Sequence, residues 1–251
     1  MPKRNEEVPV QQEDEIKVRH VRIGIMGPVG AGKSTLAGLL SESWGGAEVI
    51  DEKYPDNPHL EPFYEEPEKH SFKSQTWFLT KRMEQLSYQS YDSLKIEDPA
   101  QRMNYLFAFV QYKMGWMTDN EWQTYQGIYE ALMGEGKIKD PDIFVAVNAP
   151  FDVLAQRIRD RDREYELLTL EEKPEYFEML SSAVSDWARN MEENHRVVEV
   201  NSNSMDYSGN KNNRDLVVKY IEDRISVHFQ RMEGKGADGI ELIFPEVFRK
   251  D

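Results

Sequence analysis

The segment GPVGAGKS at residues 27–34 constrains this chain more than any other feature, because it fits the pattern G-x-x-x-x-G-K-[ST] in full. A short apolar run, VRIGIM at 21–26, precedes it, and STLAGLLSES follows with helical spacing. In such a strand–turn–helix unit, glycines let backbone N–H groups turn toward phosphate oxygens, and the helix dipole favours the anion. A chance glycine turn would not explain the strand before it and the helix after it. The segment therefore predicts a nucleotide-binding site.

The phosphate loop assigns roles to its own residues. Lys33 is expected to bridge the β- and γ-phosphates, and the Ser34 hydroxyl is expected to bind Mg²⁺. The residues predicted to contact the nucleotide are Gly27, Val29, Gly30, Ala31, Gly32, Lys33, Ser34 and Thr35.

Strand and helix patterns alternate along the chain, which is typical of a parallel α/β sheet. Strands are indicated at 21–26, 47–50, 142–147 and 196–200, and helices at 67–90, 99–115, 119–133, from 151 onward and at 216–229. Residues 1–20 are charged and without period, so they predict a flexible tail. Residues 21–229 then form one domain, and 230–251 a C-terminal extension whose structure the pattern does not indicate.

Composition excludes several classes of protein. The chain has 46 acidic and 31 basic residues and a net charge of −15. This balance disfavours binding to long nucleic acid, since such binding needs clustered Lys and Arg. No apolar run approaches the roughly 18 residues of a membrane span, and the start lacks the apolar core of a secretory signal. The absence of cysteine excludes disulfides and thiolate metal sites, and agrees with a reducing cytoplasm.

Longer strings carry a family resemblance. They are VIDEKYPDNPHLEPFYEEPEKHSFKSQTWFLTKRMEQL at 49–86, YKMGWMTDNEWQTYQGIYEALM at 112–133 and DIFVAVNAPFDVLAQRIRDRDREYE at 142–166. They resemble the deoxyribonucleoside kinases, the family of deoxycytidine, deoxyguanosine and deoxyadenosine kinases. The resemblance implies a three-layer P-loop kinase fold with a central parallel sheet of about five strands. It also implies a homodimer that uses Mg²⁺ and ATP, or another nucleoside triphosphate, to phosphorylate the 5′-hydroxyl of a small-molecule nucleoside.

The resemblance also implies roles on the acceptor side. Glu52 matches the general base for the 5′-hydroxyl, and its position after a strand beside the phosphate loop favours this over a surface acid. Tyr64 and Glu166 match the pair that binds the sugar 3′-hydroxyl.

Three further residues match positions beside the base. Gln75 matches the amide that pairs with the base edge, and Arg82, seven residues later, shares its helix face. A solvated polar helix face is the alternative for both. Phe107 matches an aromatic that stacks on the base, although a core residue would give the same pattern.

A run of arginines matches the family's lid over the phosphates. Arg157, Arg161 and Arg163 are expected to contact the phosphates, and Arg161 and Arg163 to neutralise charge during transfer. The alternative is a salt-bridged solvated helix, since Asp160 and Asp162 alternate with them.

The sequence departs from the family after the third strand. Glu97-Asp98-Pro99 stands where the family carries acid-Arg-Ser. Glu97 keeps the acid that would support Mg²⁺ directly or through water, whereas Asp98 replaces an arginine that contacts phosphate and orients the general base. Arg102 is near enough in sequence to replace that arginine.

Met103 replaces the family's aspartate partner of Arg82, so Arg82 would offer only donors, which favours a carbonyl-bearing base such as thymine. Two alternatives keep the fold. One is a kinase that acts on a nucleotide or on a hydroxyl of a modified base, and the other is a weakly catalytic nucleotide-binding protein.

Overall fold

The computed structural model describes residues 18–52, 54–89, 92–134, 138–192, 196–236 and 241–243. Within these ranges the strands are β1 (Val18–His20), β2 (Arg22–Met26), β3 (Glu48–Asp51), β4 (Lys95–Asp98), β5 (Ile143–Asn148), β6 (Val197–Asn201) and β7 (Glu241–Ile243). The helices are α1 (Lys33–Ser43), α2 (Leu60–Glu65), α3 (Pro67–Ser87), α4 (Arg102–Lys113), α5 (Asp119–Gly134), α6 (Phe151–Arg161), α7 (Glu164–Glu172), α8 (Pro174–Glu192) and α9 (Lys211–Arg231).

Five strands form one parallel sheet in the order β3-β4-β2-β5-β6. Every residue of the central strand β2 is buried, which explains its continuous apolar run: helices cover the sheet on two faces. Leu36 and Leu40 of α1 pack with Ile221 of α9 in one core layer. Phe177 and Leu180 of α8 lie in the other. The predicted three-layer parallel α/β fold is confirmed.

The phosphate loop follows β2 at the carboxyl edge of the sheet. β3 and β4 also end at this edge, and Asp51 is paired with Asp98 in their register. Because all five strands are parallel, the residues after β2, β3 and β4 converge beside the N-terminus of α1. The fold thus gathers the predicted site at one edge.

Some boundaries differ from the sequence predictions. The predicted tail ends before Val18, because β1 pairs with β7 in a two-stranded parallel ribbon. Residues 1–17, 237–240 and 244–251 of the predicted tail and extension lie outside the described residues. The arginine-rich helix ends at Arg161, because Asp162 adopts a left-handed φ of 55°. The sequence analysis also missed α2 and α8 as separate helices.

Among the helices that the structure describes, none has the length and apolar character needed to cross a membrane.

Candidate active site

Two glycines shape the phosphate loop. Gly30 and Gly32 have φ values of 80° and 92°, which side chains rarely adopt. A Cβ on Gly30 would lie 2.8 Å from the Leu154 carbonyl oxygen, and one on Gly32 would lie 2.8 Å from the Tyr207 hydroxyl. The loop therefore needs glycine at both positions. No side chain caps the N-terminus of α1, so its first N–H groups are available to an anion.

Two cavities meet at this loop. The small cavity, of about 420 Å³, is lined by Gly30, Gly32, Lys33, Ser34, Thr35, Arg157, Arg161, Arg163, Ser202, Asp206, Tyr207 and Ser208. The large cavity, of about 700 Å³, has walls from α2, α3, α4, α7, α8 and the ends of β3 and β4. Lys33, Ser34, Arg161 and Arg163 line both. A group held at these four residues can contact molecules in either cavity.

Lys33 is a half-buried cation at the junction. Its Nζ donates a hydrogen bond to the Pro28 carbonyl oxygen at 3.0 Å. Burial lowers the pKa of Lys33, while the neighbouring carboxylates of Asp98 and Glu52 raise it. The lysine therefore lies near the acids at the ends of β3 and β4, at the point where the two cavities join.

Glu52 lines the large cavity beside Lys33. Its backbone N–H donates to the Asp98 carbonyl oxygen at 2.9 Å, which extends the β3–β4 pairing by one residue. Burial raises the pKa of the Glu52 carboxyl, and the charges of Arg82 and Lys33 lower it. A carboxylate with a raised pKa on a cavity wall suits proton acceptance.

Two residues predicted to contact the base do not reach the cavity. Arg82 is 2% exposed and donates to the backbone carbonyls of Ile50 and Asp98, at 3.1 and 3.2 Å. Met103 is fully buried in the core. Neither lines either cavity. In this structure α3 directs Arg82 toward the strand ends, and the base contacts of Arg82 and Met103 stay predictions.

The lid arginines have different partners. Arg157 donates to the hydroxyl and carbonyl oxygens of Ser202 at 2.7 and 2.9 Å, beside the small cavity. Arg161 and Arg163 both pair with Glu166, which lies on the wall of the large cavity. Arg163 also stacks on the Tyr54 ring at 4.4 Å. The alternative prediction is a solvated helix in which these arginines pair with Asp160 and Asp162. The contacts of Arg157, Arg161 and Arg163 are instead with Ser202, Glu166 and Tyr54.

The other predicted acceptor residues line the large cavity. Gln75, Phe107, Tyr64 and Glu166 all lie on its wall, and the Tyr64 ring stacks on Tyr165 at 4.8 Å. Among the loop residues not yet placed, Val29 lines the large cavity. Gly27 and Ala31 line neither cavity and can contribute only backbone groups.

Several cavity residues were missed by the sequence analysis. Asn104 and Gln111 of α4 line the large cavity with Phe78 and Tyr176. Gln111 donates to the Tyr176 hydroxyl at 3.4 Å, whereas Asn104 Oδ1 and Gln111 Oε1 have no partner in the described part of the chain. Their spacing with Phe107 places all three on one helix face, which was the available signal.

The acid of β4 that lines the cavity is Asp98, not Glu97. Glu97 is fully buried and accepts from Arg22 Nη2 at 2.5 Å and Nε at 3.2 Å, away from both cavities. Successive side chains of a strand point to opposite faces, so only one of two neighbouring acids can face the cavity. The support of Mg²⁺ by Glu97, directly or through water, stays a prediction, and in this structure the carboxylate bonds to Arg22. Arg102 also lies elsewhere, since its Nε donates to Asp140 at 2.8 Å.

The Ser34 hydroxyl fits Mg²⁺ delivered with a phosphate, because Ser34 lines both cavities beside the phosphate loop. No group of three or more acidic, histidine or cysteine side chains that could hold a metal occurs in the described ranges. Mg²⁺ commonly uses one or two protein ligands together with phosphate oxygens. Ser34, together with the phosphate oxygens of a bound nucleotide, would satisfy that requirement.

Comparisons with known proteins agree with this geometry. A family model described as deoxynucleoside kinase matches residues 23–226. The chain is 30% identical to a deoxyguanosine kinase of Lactobacillus acidophilus, over 81% of this chain and 90% of that protein. It is 28% identical to a deoxyguanosine kinase of Bacillus subtilis, over 81% of this chain and 97% of that protein. A structure of deoxyadenosine kinase from M. mycoides with bound dATP is similar, with a TM-score of 0.69 and 26% identity over 80% of this chain and 99% of that chain.

Proposed function

Since the chain belongs to the deoxynucleoside kinase family, we propose that it transfers the terminal phosphate of ATP, or of another nucleoside triphosphate, to the 5′-hydroxyl of a deoxyribonucleoside. It is a phosphotransferase that acts on a nucleoside hydroxyl. The observation that carries the proposal is the junction of the two cavities at Lys33, Ser34, Arg161 and Arg163. Such a junction lets a donor and an acceptor meet at one phosphoryl group.

The small cavity is proposed to hold the donor. The phosphate loop surrounds the β- and γ-phosphates with N–H groups, and Lys33 neutralises their charge. Ser34 would hold Mg²⁺, which would supply further positive charge to the phosphates. Arg161 and Arg163 can exchange Glu166 for phosphate oxygens when the donor binds, because guanidinium groups pair with either anion.

The large cavity is proposed to hold the acceptor. Glu52 accepts the proton as the 5′-oxygen bonds to the γ-phosphorus, and the bond to the β-phosphate oxygen breaks to release the nucleoside diphosphate. Tyr64 and Glu166 would hold the 3′-hydroxyl. Gln75 would pair with the base and Phe107 would stack on it.

A purine is the base that the relatives favour. The preference for a thymidine-like base predicted from the sequence required Arg82 to face the base with free donors. Arg82 instead donates to two backbone carbonyls. Because two similar proteins are deoxyguanosine kinases, deoxyguanosine is the proposed first acceptor, and thymidine is the competing one.

A panel of acceptors with γ-labelled ATP and Mg²⁺ tests the proposal. The four common deoxynucleosides, their monophosphates and 5-hydroxymethyl-deoxyuridine are compared with the parent protein and Lys33→Ala. Label in a deoxynucleoside monophosphate, lost in the variant, supports the proposal. Label only in a diphosphate or on a modified base supports the alternative acceptors. Binding of ATP and nucleoside without transfer identifies a weakly catalytic binding protein. This outcome is measured because Asp98 stands where the family resemblance places an arginine.

We also propose a homodimer that acts in the cytoplasm. The family resemblance supports the first, and the cysteine-free composition agrees with the second. Light scattering that gives the mass of a single chain would contradict the dimer.

A further inference from the structure

Arg82 of α3 contacts the ends of β3 and β4, the two neighbouring strands beside Glu52. Its Nη1 donates to the Ile50 carbonyl oxygen at 3.1 Å, and its Nη2 to the Asp98 carbonyl oxygen at 3.2 Å. Ile50 lies two residues before Glu52. The Asp98 oxygen also accepts the backbone N–H of Glu52 at 2.9 Å. One guanidinium group therefore fixes the backbone from which the Glu52 side chain projects.

The burial of this arginine requires compensating charge. Arg82 is 2% exposed, and its Nε has no hydrogen-bond partner in the described part of the chain. A buried unpaired charge is costly, so neighbouring carboxylates must offset it. Arg82 interacts with the carboxylates of Glu52 and Glu97, and Glu97 is already bonded to Arg22. Glu52, unlike Glu97, also lines the large cavity.

We propose that Arg82 is a positioning residue for the reaction, which holds the ends of β3 and β4 so that the Glu52 carboxylate stays ionised and directed at the acceptor hydroxyl. This inference rests on the proposed function. Asp98 leaves the end of β4 without a basic side chain, and Arg82 of α3 places a cation against the backbone of β3 and β4 instead.

The charge of Arg82 acts on Glu52 together with other groups. Lys33 of α1 also favours the ionised carboxylate, whereas burial and Asp98 of β4 favour its protonated form. Tyr125 of α5 is close enough for Glu52 to raise the pKa of its hydroxyl. Removing the cation at Arg82 should therefore raise the pKa of Glu52, and the acidic limb of the kcat profile should move to higher pH.

Three variants separate charge from hydrogen bonding. Arg82→Gln removes the charge and keeps one donor, while Arg82→Lys keeps the charge and loses the fork. Gln85→Ala is the matched control, because Gln85 Nε2 makes a neighbouring hydrogen bond from α3 to the Asp51 carbonyl oxygen, at 2.9 Å. Each is assayed for kcat and KM across pH, with thermal unfolding to verify folding.

For Arg82→Gln we expect the acidic limb of the kcat profile to move to higher pH by about 1 unit. At pH values on this limb, kcat should be about tenfold below that of the parent, and at higher pH it should recover. KM for the nucleoside should stay near the parent value. Arg82→Lys should keep the limb and lower kcat at every pH, and Gln85→Ala should match the parent. An unchanged limb with a raised KM or altered base preference in Arg82→Gln would overturn the proposal, as would an equal shift in Gln85→Ala. If Arg82→Gln does not fold, unchanged kcat in Arg82→Lys overturns it.

A measurement without substrate keeps this inference separate from the proposed function. The Glu52 carboxyl is titrated by ¹³C NMR, with Glu52→Gln for assignment, in the parent and in Arg82→Gln. A higher pKa in the variant supports the Arg82–Glu52 coupling, and an equal pKa overturns it. If the coupling is found but the parent transfers no phosphate to any deoxynucleoside, the proposed function fails and the coupling stands.

Discussion

The two cavities that meet at Lys33 are assembled in different ways. The small cavity takes most of its wall from the phosphate loop and from residues 202–208, with the lid arginines as the third contribution. The large cavity takes its wall from α2, α3, α4, α7, α8 and the ends of β3 and β4, in addition to the residues that it shares with the small cavity. One wall is therefore set by local backbone geometry, and the other by how distant elements pack.

This difference affects how substitutions should act. On the loop side, the chemistry depends on backbone N–H groups and one lysine, so a single change can remove most of the charge stabilisation. On the acceptor side several side chains share the recognition, and each should contribute a smaller and more specific effect. The predictions below test this contrast in order of decreasing effect.

The largest loss is expected for Lys33→Ala. Without the ammonium group, charge that develops on the transferred phosphoryl group is not neutralised, and kcat should fall about 10²-fold or more. Steady-state assays with a saturating acceptor measure this. Lys81→Ala is the control, because Lys81 is an exposed lysine of α3. Activity within about tenfold of the parent, or about 1.4 kcal/mol of barrier, would contradict the kinase mechanism.

Glu52→Gln should lower kcat by about 10²- to 10⁴-fold, with little change in nucleoside affinity, because the amide keeps the shape but cannot accept a proton. Burial raises the pKa of Glu52 above its ordinary value. The parent should therefore lose kcat as the pH falls through that raised pKa, while the residual activity of the variant should lack this limb. Glu84→Gln, on the exposed face of α3, serves as the control. A raised KM with unchanged kcat would show that Glu52 binds substrate only.

Glu166→Gln tests whether the residue that pairs with the lid arginines also holds the sugar. A hydrogen bond to a charged group is worth about 1.5–3 kcal/mol, so KM for the deoxynucleoside should rise roughly tenfold to a hundredfold. The comparison is made with a 2′,3′-dideoxynucleoside, which lacks the 3′-hydroxyl. Parent and variant should handle that analogue alike. An equal loss for both acceptors would assign Glu166 to the lid alone.

The smallest effect is expected for Gln111→Leu. Removing the amide removes the buried Gln111 Oε1, which has no partner in the described residues, but also the 3.4 Å hydrogen bond to the Tyr176 hydroxyl, so the melting temperature should change little. Preference among bases should change by a factor of a few to about tenfold, since an amide on the cavity wall is lost. Gln123→Leu, at an exposed position of α5, is the control. A lower melting temperature with unchanged base preference would make Gln111 a structural residue.

The same contrast explains what the sequence could predict. The loop residues follow from one continuous motif and the parallel α/β sheet from alternating patterns, whereas the number of about five strands follows from the family resemblance. The seven-residue spacing predicts that Gln75 and Arg82 share one face of α3. It cannot show that the ends of β3 and β4 lie against Arg82 while the cavity faces Gln75, because those contacts join residues 16 and 32 positions away.

Long-range contacts account for the other differences. Neighbouring acids in β4 differ in function because strand alternation sends one to Arg22 and the other to the cavity, and the residue string does not tell which. Strand β1 pairs with β7 across most of the chain, between segments too short to show a period. Packing decides these features, and a single sequence records packing only indirectly.

The position of the transferred phosphate tests the central claim most directly. The product made from ATP and the best acceptor of the panel is examined by ³¹P NMR for its coupling to sugar protons. The account predicts coupling to the two 5′ protons, since Glu52 lines the large cavity beside Lys33 and Tyr64 and Glu166 are proposed to hold the 3′ side. Coupling to the 3′ proton, or a phosphate on the base, would contradict it.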